Sequence, residues 1–151
     1  MSFINAKPLL TFSTGLFAGL GTTLTYCAVP AIKSSSDPLP AWQIMYSRGK
    51  NVALSCIVTT TGAAIKCYLE SDQEDWRFLL CGGLMLAVVP YTFLVMAPTN
   101  KELLAIRPEN GKKVDAAVRT LIKKWEKMQY VRTALGIGSF FLSVWILHVK
   151  L

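Results

Sequence analysis

Four long stretches without a formal charge dominate this chain of 151 residues. They cover residues 8–32, 51–65, 78–100 and 133–149. About 20 apolar helical residues are needed to cross the hydrocarbon core of a bilayer, which is about 30 Å thick. The first and third stretches have that length. The second reaches it if Lys66 snorkels and the helix continues to Leu69, and the fourth continues a polar helix on its N-terminal side.

The pattern predicts one all-α domain, residues 1–151, that folds as an integral membrane four-helix bundle. We expect spans at about residues 8–32, 51–69, 78–98 and 131–149, with an amphipathic helical extension at about 112–130. The hydrophobic share of 52% is high for a soluble domain of this size. The first stretch is too long for the core of a cleaved signal, so we expect a retained helix.

Positive charge is distributed unevenly between the predicted loops. If both termini share one side, the first and third loops carry twelve of the sixteen Lys and Arg residues and the opposite side carries four. The positive-inside rule then predicts cytoplasmic first and third loops and lumenal termini. We expect a multipass protein of the endoplasmic reticulum or another endomembrane, in contact with membrane lipids. Nucleic-acid binding is excluded because no basic-aromatic module accompanies the charge.

Local signals predict further features of the bundle. Gly15 and Gly19 have the spacing that lets membrane helices approach closely. Trp42, Met45, Tyr46 and Gly49 share one helical face, which predicts a short interfacial helix in the first loop that ends at the glycine.

The third loop carries two more signals. The capping-box spacing of Thr99 and Glu102 predicts that a short new helix begins there. Residues 107–111 should break it. The fourth helix, about 37 residues or 55 Å long, should then project into the cytoplasm.

Four cysteines leave two alternatives open. Cys67 and Cys81 both fall near the lumenal ends of predicted helices, so a disulfide between them is one possibility. The other is that Cys27, Cys56, Cys67 and Cys81 are all small packing residues. Their spacing matches no zinc motif, and the single histidine, His148, excludes histidine-rich metal sites.

The sequence does not contain the residues that several classes of enzymatic reaction require. No Asp or Glu lies inside a predicted span, which argues against a buried carboxylate proton relay. No nucleophile motif, glycine-rich phosphate loop or CxxC pair is present. The acidic second loop, with Glu70, Asp72, Glu74 and Asp75, is predicted to be a solvated turn.

The predicted topology gathers aromatic and polar residues at the cytoplasmic mouth of the bundle. Trp125, Gln129 and Arg132 fall at i, i+4 and i+7, so one helical face carries all three. An arginine flanked by aromatic rings can hold a flat anionic or phenolic molecule. The alternative is that the aromatic residues anchor the helices at the interface and Arg132 pairs with lipid phosphate. The gathered set is Trp42, Tyr46, Asn100, Trp125, Gln129 and Arg132.

Two runs of residues resemble the anthrone oxygenase-like family of small membrane proteins. The more specific run is Pro90-x-Thr92, then Met96-x-Pro98-Thr99-Asn100-x-x-Leu103, then Trp125 with Arg132 seven residues later. Gly15, Gly19, Pro30 and Trp42-x-x-x-Tyr46-x-x-Gly49 are similar to the family's first half. At Gln129 the family usually has Asn or His, and a glutamine cannot act as a base.

The resemblance implies a function as well as a fold. Some members oxidise anthrones to anthraquinones with molecular oxygen, without metal or flavin. By this resemblance the chain is a cofactor-independent monooxygenase of a phenolic polyketide or quinone precursor, with oxygen as co-substrate and a hydrophobic aromatic small molecule as ligand.

The resemblance also suggests roles for single residues. Arg132 would stabilise the enolate oxygen, and Asn100 would hydrogen-bond at the pocket mouth or merely start the short helix. Trp42, Tyr46 and Trp125 would form aromatic walls. The predicted substrate site also includes Gln129, and Thr92, which would shape it. Tyr46 or water remains open as the base.

A non-catalytic role is the alternative function. The same bundle suits a membrane partner, an assembly factor or a lipid- or quinone-binding protein. A membrane protein partner or self-association stays open in either case.

Overall fold

The computed structural model describes residues 6–71, 75–107 and 112–149. Four long helices make up these ranges, and no strand occurs within them. Each helix includes a segment long and apolar enough to cross a membrane, so the chain fits a multipass membrane protein. The predicted all-α bundle of four helices is therefore confirmed. The helices are α1 (Ala6–Ser34), α2 (Pro38–Glu70), α3 (Arg77–Ala105) and α4 (Lys112–His148).

The helices form an up-down bundle in which each packs against its neighbours in the chain and α1 closes the ring against α4. The loop between α1 and α2 therefore lies at the same end as the loop between α3 and α4. Two helices contain a π-helical turn, Leu24–Ala28 in α1 and Thr92–Met96 in α3. The second of these follows Pro90 closely, and α3 continues past the proline as a helix.

Several hydroxyl side chains are buried inside the bundle beside the apolar core, where they can hydrogen-bond across helices. Hydroxyl pairs link the helices: Ser13–Thr60 at 2.8 Å, Thr14–Ser143 at 3.1 Å and Thr25–Thr133 at 2.9 Å. Large apolar side chains are left on the outer surface, where lipid chains would cover them. They include Phe12, Val58, Phe93, Leu94 and Phe141.

Close helix approach depends on glycines other than the predicted pair. A methyl group on Gly82 would lie 2.8 Å from Ala64 Cβ, and one on Gly136 would lie 2.5 Å from Phe17 Cδ1. Gly15 is close to the Phe140 ring, but nothing lies within 4 Å of a methyl group on Gly19. The Gly15/Gly19 motif thus contributes one contact at most.

The separate interfacial helix predicted in the first loop is wrong. Helix α2 begins at Pro38 and runs through Gly49 to Glu70 without a break. A glycine inside a helix costs only about 1 kcal/mol relative to alanine, so packing decides whether the helix ends there. Trp42 is fully buried in the bundle.

The projection of α4 into the cytoplasm stays a prediction. Its N-terminal half does not extend alone, because the ends of the other three helices pack against it. A buried cluster joins all four helices there: Val29, Ile32, Leu39, Trp42, Met96, Leu103, Val118, Ile122, Trp125 and Met128.

No new helix begins at Thr99. α3 continues from the π-helical turn to Ala105, and Thr99 Oγ1 is buried without a hydrogen-bond partner, so it makes no capping box. The predicted break includes residues 108–111, which lie outside the described residues, as do Asp72 and Glu74 of the acidic loop.

The cysteines are all free, which overturns the Cys67–Cys81 disulfide. Both side chains pack in one apolar cluster with Ala64 and Phe78. The Cys81 thiol contacts Ser139, whose hydroxyl donates to the Cys81 carbonyl at 2.9 Å. Cys56, Cys67 and Cys81 are buried and act as small packing residues, as the other alternative held, whereas Cys27 is exposed.

Each end of the bundle has its own polar ties. At the end with the first loop, Lys33 pairs with Glu126 at 2.8 Å, and Arg119 donates to the carbonyls of Lys33 and Ser35. At the other end, Arg77 forms a two-bond ion pair with Asp75 and donates to the Val149 carbonyl. The hydrogen bonds from Arg77 hold the pKa of Asp75 below its usual value.

Candidate functional site

A groove of about 660 Å³ opens between α2 and α3, and one residue of α4 contributes to its lining. This volume is typical of sites for small organic ligands. The groove lies in the half of the bundle nearer the first loop. Its lining residues are Tyr46, Lys50, Asn51, Ala53, Leu54, Ile57, Val88, Val89, Thr92, Phe93, Ala97, Asn100, Lys101, Leu104 and Arg132.

The groove is polar toward the first-loop end and apolar toward the middle of the bundle. Along α2 the lining passes from Tyr46 and Lys50 to Ile57, and along α3 from Asn100 to Val88. A flat molecule with an apolar body and one polar edge matches this gradient. The lining includes three cations, Lys50, Lys101 and Arg132, and no carboxylate.

Arg132 reaches the groove from α4. Its Nε is buried without a partner, and no ion pair or hydrogen bond links the guanidinium to any residue in the described ranges. A smaller cavity of about 20 Å³, also lined by Tyr46 and Gly49, touches the same arginine. Arg132 is therefore a cation with donors still available for a ligand.

An aromatic stack supports the groove from behind. The rings of Trp42 and Tyr46 lie parallel, with centroids 5.0 Å apart, and Trp125 meets Trp42 edge-on at 5.8 Å. Only Tyr46 of these three lines the groove. The stack holds Tyr46 in place because Trp42 and Trp125 are fully buried and make well-packed ring pairs.

One hydrogen bond joins this stack to α3. Trp125 Nε1 donates to Asn100 Oδ1 at 2.9 Å, and both side chains are buried. Asn100 is 4% exposed, and what remains faces the groove. The aromatic stack thus fixes one polar side chain of the lining.

The predicted site residues separate into two layers. Tyr46, Thr92, Asn100 and Arg132 line the groove, while Trp42, Trp125 and Gln129 do not. Gln129 is buried, and its Nε2 lies 3.5 Å from Thr133 Oγ1. The Thr92 hydroxyl donates to the Val88 carbonyl at 2.7 Å. This bond turns the Thr92 hydroxyl toward its own helix.

Sequence reasoning missed three polar residues of the lining: Lys50, Asn51 and Lys101. Lys50 lies one helical turn after Tyr46, with its Nζ 5.9 Å from that ring's centroid. The i, i+4 spacing of Tyr46 and Lys50 places both on one helical face, and this could have identified Lys50 as a lining residue. Lys101 follows Asn100 directly. The sequence placed it in a loop, beside the predicted start of a helix, and nothing in that position indicates a groove.

Within the described ranges, no three His, Cys, Asp or Glu side chains come together.

Comparison with known proteins gives a consistent family. A family model described as anthrone oxygenase matches residues 42–142. An anthrone oxygenase of Claviceps purpurea is 34% identical over 148 residues, covering 89% of this chain and 84% of that protein. The anthrone oxygenase AgnL2 of Paecilomyces divaricatus is 25% identical over 166 residues, covering 96% of this chain and 99% of the relative. No solved structure matches.

Proposed function

The chain belongs to the anthrone oxygenase family, and we propose that it is a cofactor-independent oxygenase that binds a planar polycyclic phenol between α2 and α3. The observation that carries the proposal is Arg132, a cation that lines the ligand-sized groove and has no counter-charge among the described residues. The relatives' names supply the substrate class, an anthrone.

The groove's shape and charge suit this ligand. The apolar half, with Ile57, Val88 and Phe93, would cover the ring system. The polar half would receive the edge that carries oxygen atoms. A neutral lipid tail would contact only the apolar half of the groove. The cations of the polar half therefore favour a molecule that can become an anion.

The proposed reaction needs no external reductant. Loss of a proton from the ring methylene gives an enolate, with negative charge on the ketone oxygen. The electron-rich ring carbon reacts with molecular oxygen, and protonation gives a hydroperoxide at that carbon. Loss of water converts the hydroperoxide to the second ketone, so one oxygen atom enters the quinone and the other leaves as water.

Arg132 would act on the first step. A guanidinium near the ketone oxygen stabilises the enolate more than the neutral anthrone, and this difference lowers the barrier to proton loss. Lys50 and Lys101 would add positive charge at the rim. The lining has no carboxylate or histidine to take the proton. We assign that role to water in the groove, with Tyr46 as the alternative acceptor.

Oxygen consumption by the purified protein in detergent tests the proposal. We expect an added anthrone to be oxidised faster than in protein-free micelles, with quinone absorbance rising as oxygen falls. Arg132→Ala should lower the protein-dependent rate by about tenfold or more, a typical loss when one oxyanion donor is removed.

Arg48→Ala is the matched control, because Arg48 is an exposed cation of α2, two residues from Tyr46 in sequence, and does not line the groove. Its rate should stay near wild type. Equal rates for Arg132→Ala and Arg48→Ala would contradict the role of Arg132. A wild-type rate no higher than the micelle background would favour the non-catalytic alternative.

A further inference from the structure

The hydrogen bond between Trp125 and Asn100 determines which atom of the amide faces the groove. An indole Nε1–H can only donate, so the Asn100 atom 2.9 Å from it must be the acceptor, Oδ1. The amide nitrogen, Nδ2, is then on the other side. This assignment follows from the chemistry of the two groups, because the orientation of an amide is otherwise ambiguous.

The Asn100 amide nitrogen is left available. Nδ2 donates to no residue in the described parts of the chain. It is also not among the fully buried polar atoms without a hydrogen-bond partner, so it retains some accessible surface. Asn100 as a whole is only 4% exposed and it lines the groove, so the groove is where an accessible Nδ2 would meet a ligand.

We propose that Trp125 holds Asn100 as a fixed hydrogen-bond donor, which with Arg132 forms a two-donor site for the oxyanion of a phenolic or enolic ligand. Asn100 Nδ2 and the Arg132 guanidinium line one groove from different helices, α3 and α4. Both groups can only donate hydrogen bonds, so both favour a ligand oxygen atom that carries negative charge. This inference rests on the proposed function and adds the positioning residue, Trp125.

A fixed donor is more effective than a mobile one. An unrestrained amide presents either its oxygen or its nitrogen, and the oxygen would repel an oxyanion. By occupying Oδ1, Trp125 removes that orientation before the ligand arrives. Donors preorganised in this way stabilise a developing charge without reorganisation when it forms.

The acidity of a bound hydroxyanthraquinone reports on the site directly. This stable phenol changes colour when it ionises, so its apparent pKa can be read from absorbance in the presence of the purified protein. Wild type should lower that pKa below its value in protein-free micelles of the same detergent.

Asn100→Asp should reverse part of this effect. One carboxylate oxygen can still accept from Trp125, but the other puts negative charge where Nδ2 was. We expect the ligand's pKa to rise by about one unit or more relative to wild type, a tenfold change in the phenolate-to-phenol ratio. Asn100→Ala, which only removes the donor, should give a smaller rise.

Trp125→Phe and Trp42→Phe separate hydrogen bonding from packing. Both substitutions remove the same volume from the aromatic stack, but only Trp125 loses a hydrogen bond, since Trp42 Nε1 has no partner. The ligand's pKa should therefore rise more in Trp125→Phe than in Trp42→Phe.

The possible results lead to different conclusions. The inference would be overturned if the ligand's pKa did not rise in Asn100→Asp. It would also be overturned if Trp125→Phe and Trp42→Phe changed that pKa equally. Failure of the hydroxyanthraquinone to bind would overturn it together with the proposed function. The predicted shifts without oxygen consumption would support the donor site and contradict the oxygenase activity alone.

Discussion

At the residue scale, Arg132 is the feature with the largest consequence. A charged side chain among membrane helices is costly, about 2.5–3.5 kcal/mol at mid-span on insertion scales, and such residues usually pair with another charged group or with backbone carbonyls. In the described part of this chain Arg132 has no such partner. A residue kept at such a cost without a structural contact is a candidate for function.

Arg132→Met should separate stability from activity. A partly buried charge without a partner carries a desolvation cost that no protein contact offsets, so an apolar side chain of similar length at this position should be neutral or stabilising. We therefore expect an unchanged or higher thermal unfolding midpoint in detergent, together with loss of most protein-dependent anthrone oxidation.

Arg119→Met provides the comparison for Arg132→Met. Arg119 bonds Asp115 and the carbonyls of Lys33 and Ser35, so its loss should lower the unfolding midpoint. If Arg132→Met lowers the midpoint as much as Arg119→Met does, Arg132 is a structural residue.

The site could be predicted from the sequence only in part. Helical spacing places Trp125, Gln129 and Arg132 on one face of α4, but it does not predict which groups each side chain contacts. Trp125 bonds Asn100, Gln129 faces Thr133, and Arg132 enters the groove. These differences arise from the neighbouring helices, and a single-helix pattern contains no information about them.

At the element scale, the small residues decide how closely the helices pack. Spacing alone favoured Gly15 and Gly19, yet the tightest contacts involve Gly82 and Gly136. The reason is that a small residue matters only where another helix approaches it. Glycine in lipid-facing positions, such as Gly19 and Gly83, has no such neighbour.

Gly82→Ala and Gly83→Ala form a matched pair on α3. A methyl group at position 82 would lie 2.8 Å from Ala64 Cβ of α2, and overpacking of this kind typically costs about 1–3 kcal/mol. At position 83 nothing lies within 4 Å, and alanine should stabilise the helix by about 0.5–1 kcal/mol.

Thermal unfolding in detergent measures both glycine variants. The midpoint should fall for Gly82→Ala and should stay equal or rise for Gly83→Ala. A higher midpoint for Gly82→Ala would show that α2 and α3 do not pack as described.

The ion pair before α3 predicts a pH dependence. Hydrogen bonds from Arg77 hold the pKa of Asp75 below its usual value of 3.8. The ionised carboxylate therefore stabilises the fold above that value, and this contribution is lost as pH falls through the lower, folded-state pKa.

Asp75→Asn should have a lower unfolding midpoint than wild type at pH 6. The difference should shrink as pH falls below about 4, since the wild-type carboxylate then becomes protonated as well. A constant difference from pH 6 to pH 3 would show that the charge of Asp75 contributes nothing.

At the scale of the whole molecule, charge and hydropathy predicted more than local motifs did. Four apolar stretches gave the four helices, and the bundle brings the first and third loops to one end. The separate interfacial helix is wrong because all four helices extend together at that end, and the projection of α4 into the cytoplasm stays a prediction. The length of α2, 33 residues or about 50 Å, already exceeds the bilayer core.

This extended end contains the polar half of the groove, and the apolar half lies deeper in the bundle. In the proposed function, a flat phenol would enter from lipid with its oxygen-bearing edge toward Arg132. Molecular oxygen also partitions into lipid. We propose that the bundle brings both reactants together at this depth.

Isotopic oxygen supplied to the protein in liposomes tests the central claim most directly. With an anthrone and ¹⁸O₂, we predict quinone with one ¹⁸O atom per molecule, formed well above the rate in empty liposomes and only near that background rate with Arg132→Ala. Labelled quinone formed no faster by the wild-type protein than in empty liposomes, or equally fast with Arg132→Ala, would contradict the account.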